Sequence, residues 1–138
     1  MNLLLSRTLR RLSKLYNKRI LQELPDIDSE YSTELLLHIS LNNHPTAQKH
    51  LAEYLHIDKS RVAILIDSLN QANYIYTERN PADRREHFVY LTDKGKQLLP
   101  AIHRAIDKVN ASIKYQLSEQ SLDNFYDTLL QLETNLSS

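Results

Sequence analysis

The chain contains no cysteine and a single glycine, Gly95, in 138 residues. Without cysteine there is no disulfide framework, no thiolate nucleophile, no cysteine-ligated zinc ribbon and no thiol redox sensor, a composition at home in a reducing cytoplasm. One glycine excludes a Gly-rich phosphate-cradling loop and points to helices joined by tight polar turns rather than to a large sheet. Long apolar runs are missing too. Leu3-Leu4-Leu5 is followed within two residues by Arg7, far too short a stretch for a membrane span or a signal-peptide core. No Ser/His/Asp constellation stands out, so no enzyme is expected and no cofactor is implied.

What is present is ordinary globular material, 41% hydrophobic and 25% charged, enough for one domain or one compact protomer. The formal net charge is zero, with 17 basic and 17 acidic residues, but the distribution is uneven. Arg7, Arg10, Arg11, Lys14, Lys18 and Arg19 crowd the start, whereas Glu119, Asp123, Asp127 and Glu133 mark an end with no base after Lys114. Phosphate binding depends on local basic density, so the global balance does not count against a nucleic-acid partner. The basic, amphipathic N-terminus has the features of a transit peptide or a membrane-surface helix. The stripe Leu5, Leu9, Leu12, Tyr16 and Ile20 favours packing in a helical bundle instead.

Periodicity predicts a first helix ending near Pro25 and a second from Ser29 to Asn42 with Leu35, Leu36 and Ile39 on its apolar face. Thr46 is expected to cap a short helix through Leu55, which buries Leu51, Ala52 and Leu55. Asp58 or Ser60 caps the next, whose buried stripe is Val62, Leu65, Ile66 and Leu69. Two short helices joined by a tight turn make a helix-turn-helix. Tyr74 to Thr77 and Phe88 to Leu91 are β-branched and aromatic, and Asn80 to Arg85 lies between them as a hairpin tip. Thr92 caps a long helix carrying Leu98, Ile102, Ile106, Val109, Ile113 and Leu117, in which Pro100 should kink the axis at a cost of about 3 kcal/mol. Leu122, Phe125, Leu129, Leu132 and Leu136 follow at coiled-coil spacing. Two heptads are marginal alone, so this helix is expected to pack with the N-terminal one across a two-fold axis.

Burying the stripe of the second motif helix turns Lys59, Ser60, Arg61, Ile64, Asp67 and Ser68 outward. Arg61 is suited to a bidentate contact with guanine, and Ile64 either meets a thymine methyl or belongs to a second core layer. Thr46, Gln48 and Lys49 begin the first motif helix and are suited to phosphates, which position a protein without specifying a sequence.

Four consecutive pieces, Leu51-Ala52-Glu53-Tyr54-Leu55, Asp58-Lys59-Ser60, Asn80-Pro81-Ala82-Asp83-Arg84-Arg85 and Leu91-Thr92-Asp93-Lys94-Gly95, together resemble the MarR family of bacterial winged helix-turn-helix transcriptional regulators. The resemblance implies that Asp83 braces Arg85 for entry into a DNA minor groove, with Arg84 on a nearby phosphate. A guanidinium is the least hydrated side-chain cation available to fill a narrow, electronegative groove. Asn73 stands where many relatives have glycine, and asparagine tolerates the left-handed conformation of a helix end. Thr77 replaces an arginine common in the family and removes one possible phosphate contact. Relatives often carry hydroxylated residues at Arg61 and Ala63 and a base at Ile64, so their target sequence does not transfer.

The resemblance also implies a small-molecule effector, for which Tyr16, Tyr31 and His38 are candidate lining residues. Some members bind zinc, for which His38, His103 and Asp107 are candidate ligands, the last two sharing a helix face at i and i+4. The expected protein is therefore mainly α with a small β-hairpin wing. Residues 29–95 form a winged helix-turn-helix DNA-binding domain, and 1–28 with 96–138 form a helical dimerisation region. The expected function is a cytoplasmic, homodimeric repressor on a pseudo-palindromic double-stranded DNA operator, relieved by an effector and without a membrane partner. The alternatives are a zinc-responsive regulator of the same fold and a winged-helix protein-interaction module without DNA binding.

Overall fold

A computed structural model describes residues 4–138 of the chain; Leu3 of the leading leucine run lies outside the described residues. In chain order the elements are α1 (Leu5–Gln22), α2 (Glu30–Leu41), β1 (Thr46–Ala47), α3 (Gln48–Leu55), α4 (Lys59–Gln71), β2 (Ile75–Arg79), β3 (His87–Leu91), α5 (Asp93–Ile113) and α6 (Glu119–Ser137). The chain divides into two compact units, Met1–Ala105 and Ile106–Ser138, with the boundary inside α5.

In the first unit, local chemistry sets the helix ends. Ser29 caps α2 by accepting from the Tyr31 amide at 3.3 Å, and Asp58 caps α4 by accepting from the Arg61 amide at 2.8 Å. The chain leaves α3 through His56 at φ 54° and α4 through Asn73 at φ 63°, so two left-handed positions are filled without glycine. The α4 stripe Val62, Leu65, Ile66 and Leu69 is buried as its spacing predicts. It joins Leu35 and Leu36 of α2, Leu51 of α3, Ile75 of β2, Val89 of β3 and Ile102 of α5 in one core. This core fixes α4 against α2, α3 and β2.

The hairpin is longer than its most apolar stretches and has a third strand. The sheet order is β1-β3-β2, antiparallel throughout, with Thr46 opposite Val89, Thr77 opposite Val89 on its other side, and Arg79 opposite His87. Thr46 is therefore not a helix cap. It is extended, 4% exposed, and its hydroxyl accepts from Asn42 Nδ2 at 3.2 Å, leaving Ala47 at the start of α3 with no side-chain cap. A two-residue strand is too short for the alternation that would betray it in sequence.

Thr92 begins α5 as expected. Its Oγ1 accepts from the Gly95 amide at 3.0 Å, and its hydroxyl donates to the Asn73 carbonyl. The helix continues unbroken through Pro100 and ends at Ile113, with Leu117 beyond it, after a turn in which Gln116 takes φ 60°. The α1 stripe is amphipathic, but Leu5, Leu9 and Leu12 are exposed in the single chain and only Ile20 is buried. In the second unit, α6 is capped by Ser118 and has no buried residue.

Candidate nucleic-acid interface

Helix α4 presents a face whose composition follows from the burial of its other side. Lys59, Ser60, Arg61, Asp67 and Ser68 are all exposed. Ile64 is 71% exposed, which removes the second-layer core reading and leaves an apolar side chain open to solvent between polar neighbours. Beside α4, the beginning of α3 supplies Gln48, half-buried, and Lys49, exposed. Thr46, grouped with them on sequence grounds, does not share this surface because its side chain is turned inward against Asn42.

The wing tip is built from two side-chain-to-backbone turns. Asn80 Oδ1 accepts from the Ala82 amide at 2.9 Å, and Asp83 Oδ1 accepts from the Arg85 amide at 3.0 Å. Asn80 Nδ2 also donates to Glu86 Oε2 at 2.7 Å, and the Asn80 amide donates to the Glu86 carbonyl at 2.9 Å, closing the loop. The same Asp83 oxygen receives Arg85 Nε at 3.3 Å, while the Arg85 side chain is 92% exposed. Asp83 thus braces Arg85, and both acids of the tip are engaged with the tip itself. Arg84 is exposed beside them. Bracing narrows the conformations of a long side chain before any ligand arrives, which lowers the entropy lost on binding.

Between wing and helix-turn-helix lies a groove of about 560 Å³ lined by Gln48, Lys49, Lys59, Asp83, Arg85 and His87, among others. Its cations come from three elements, α3, α4 and the wing, and converge although they are far apart in sequence. The Asn80–Glu86 clamp that sets the wing tip was not visible as such in the sequence. The only hint was an asparagine two residues before Ala82, at Asx-turn spacing.

The remaining candidates have different surroundings. Tyr16 is half-buried on α1. Tyr31 lies beneath Arg61, with the guanidinium carbon 5.1 Å from the ring centroid. His38 stacks on Tyr54 with ring centroids 3.8 Å apart, and its Nε2 lies 3.2 Å from Asn42 Nδ2. His103 and Asp107 are exposed on α5. Among the described residues no three His, Asp, Glu or Cys side chains gather as a metal site would require.

Burial, and after it the charge of neighbouring His50, holds the His38 imidazole below the usual histidine range. Tyr54 stacks on one face of the ring, and His50, itself 3.9 Å from Glu53, lies with its ring centroid 5.6 Å away. Because the folded value is depressed, the unfolded chain takes up the proton first. The stabilisation is complete above the unfolded value of about 6.5 and is lost as pH falls from there through the folded value. The thermal midpoint is therefore expected to drop between pH 7.5 and 5.5, and His38→Gln should flatten that drop. Parallel curves for the two proteins would acquit His38.

Comparison with known proteins agrees with this geometry. The profile of the MarR family matches residues 32–86, the stretch from α2 to the end of the wing tip. The HTH-type transcriptional regulator MgrA of Staphylococcus aureus is 29% identical over 100 residues, covering 72% of this chain and 66% of MgrA, just under two thirds of that relative. Among solved structures, the S. aureus MepR–DNA complex superposes with a TM-score of 0.86 at 22% identity, covering 94% of this chain and 96% of that one. A MarR transcriptional regulator from Methanosarcina mazei Go1 gives 0.84 at 22% identity, covering 96% of each chain. These relatives are regulators and not enzymes, and no helix among the described residues is long and apolar enough to cross a membrane. The profile lies on the helix-turn-helix and wing and the fold is shared over nearly the whole chain, so over residues 32–86 the chain is similar to the MarR family of winged helix-turn-helix transcriptional regulators.

Proposed function

We propose that the chain is a homodimeric, sequence-specific DNA-binding repressor that acts on a pseudo-palindromic operator and is released from it by a small-molecule effector. The observation that carries this reading is the wing tip, where an almost fully exposed Arg85 is braced by Asp83 beside the exposed face of α4. Helix α4 enters a major groove, where Arg61 and Ile64 meet base edges. Arg85 fills the adjoining minor groove, and Gln48, Lys49, Lys59, Ser60 and Arg84 fix the register on phosphates. The MepR structure, a complex with DNA, supports the same use of the shared fold. Two such helices on one face of a duplex require half-sites about 10 bp apart, or a multiple of that. The effector acts by preferring the state whose two wings no longer match that spacing.

The test is fluorescence anisotropy of the full chain against the DNA upstream of its own gene and a scrambled duplex, at several salt concentrations. Wild type should bind the first selectively with a steep salt slope. Arg85→Ala should lose about 10- to 100-fold in affinity, the worth of a charge-assisted hydrogen bond, and about one unit of salt slope, with unchanged thermal stability. An unaltered isotherm for Arg85→Ala would sink the wing assignment. The rival reading, a winged helix that docks a protein and no longer binds DNA, predicts weak, unselective binding by wild type. It also predicts no dependence on the charges of Arg61, Arg84 and Arg85.

A further inference from the structure

Arg61 is the third residue of α4, held at its backbone by the Asp58 cap, and its guanidinium has no ion pair among the described residues. What holds the side chain is an aromatic face. The Tyr31 ring lies 5.1 Å below the guanidinium carbon. Tyr31 is itself placed by the start of α2, where its amide donates to the Ser29 cap at 3.3 Å, and it is half-buried. α2 packs against α4 in the same unit, so the shelf and its arginine are set by one core. A ring stacked on a guanidinium covers the flat face and leaves the in-plane N–H edge uncovered. That edge is the one a guanine O6/N7 pair needs.

We propose that Tyr31 is a positioning residue for base recognition, an aromatic shelf that holds Arg61 edge-out before DNA arrives and thereby sets a guanine preference in each half-site. This rests on the DNA-binding reading above. A free arginine loses many rotamers when it makes a two-pronged contact, whereas one already stacked loses fewer. Asp58 caps the Arg61 amide through Oδ1 at 2.8 Å, and among the described residues no ion pair joins its carboxylate to the guanidinium. The shelf therefore adds discrimination rather than overall affinity for DNA, and phosphate contacts are left untouched.

The experiment is selection from a duplex pool with a randomised core, using the full-length wild type, Tyr31→Leu, Tyr31→Phe, Arg61→Ala and the Tyr31→Leu/Arg61→Ala double variant. Circular dichroism checks that each is folded. Wild type and Tyr31→Phe should enrich guanine at one position per half-site. Tyr31→Leu should reduce the ratio of guanine to other bases there by roughly three- to fivefold, the equivalent of an exposed cation–π contact, with the other positions unchanged. In the Arg61→Ala background the Tyr31 change should have no further effect. In the free protein, the ring-current shift of the Arg61 δ-methylene protons should be present in wild type and Tyr31→Phe and absent in Tyr31→Leu. A wild-type motif that Tyr31→Leu reproduces, or a Tyr31 effect that persists without Arg61, overturns the shelf while leaving the DNA reading intact. A wild type that enriches no sequence overturns the DNA reading and this inference with it.

Discussion

Replacing Gly95 by alanine will destabilise the winged unit more than any wing or surface substitution, although it adds a single methyl group. A Cβ at this position would lie 2.1 Å from the Tyr74 carbonyl oxygen and 3.1 Å from its carbon, with Leu91 Cδ2 at 3.5 Å. The two closest atoms are backbone, so no rotamer change makes room. The same carbonyl accepts from the Thr92 amide at 3.1 Å, and Thr92 Oγ1 accepts from the Gly95 amide. Next to it, Lys94 Nζ donates to the Ala72 carbonyl at 2.8 Å and sits 4.7 Å from the Tyr74 ring centroid. The beginning of α5 is thus fastened to the end of α4 and the start of β2 at near-contact distance, and the methyl group must break that fastening. Overpacking against backbone is expected to cost about 3 kcal/mol or more, roughly 10 °C in the thermal midpoint of a chain this size. Urea and thermal denaturation monitored by circular dichroism measure it. A loss below about 1 kcal/mol would show that the helix can shift without strain.

That close approach explains why the chain keeps one glycine while meeting left-handed turns with His56, Asn73 and Gln116. In sequence the asparagine was readable, because its side chain suits that conformation. Gly95 was visible only as part of the piece Leu91 to Gly95, since the carbonyl it must admit lies 21 positions earlier at Tyr74. The α4 stripe was legible because helical period and burial coincide there, and the exposure of Arg61 and Lys59 followed from the same geometry. Ile64 was not decidable, because an apolar residue at that phase fits both a second core layer and an open face. Its exposure depends on what α2 and β2 leave uncovered. Thr46 was misread for a related reason. A threonine before an apolar helical run has the chemistry of a cap, and only the distant strand β3 makes it a buried sheet residue. The α1 stripe was read correctly as amphipathic, yet period alone does not say what covers a face. At the wing the resemblance implied a role for Asp83 and Arg85, while the geometry adds the two Asx turns and the Asn80–Glu86 clamp that hold them.

Leu129→Ala combined with Leu132→Ala will leave the chain monomeric. α6 runs for 19 residues without burying one of them. Phe125, Tyr126 and Leu130 are exposed, and Leu136 is 83% exposed, whereas Leu122, Leu129 and Leu132 are half-covered. A helix of this length gains little from its own hydrogen bonds, and its stability in water comes from an apolar face that something covers. In the proposed homodimer that cover is a second copy of the chain, and two-fold symmetry makes each substitution count twice. At about 1–2 kcal/mol per half-covered leucine, four truncated side chains remove about 4–8 kcal/mol of association energy, a rise in Kd of roughly 10³- to 10⁶-fold. Sedimentation velocity should then show wild type near twice the 16.1 kDa chain mass and the double variant at the chain mass, with the helical circular dichroism of the winged unit retained. A variant that stays dimeric would remove the α6 seam from the interface. The consequence for DNA separates assembly from recognition. A monomer keeps Arg61 and Arg85 and still prefers the half-site sequence, but it no longer senses the spacing of about 10 bp between half-sites. Operators with that spacing altered by half a turn should discriminate wild type sharply and the double variant not at all.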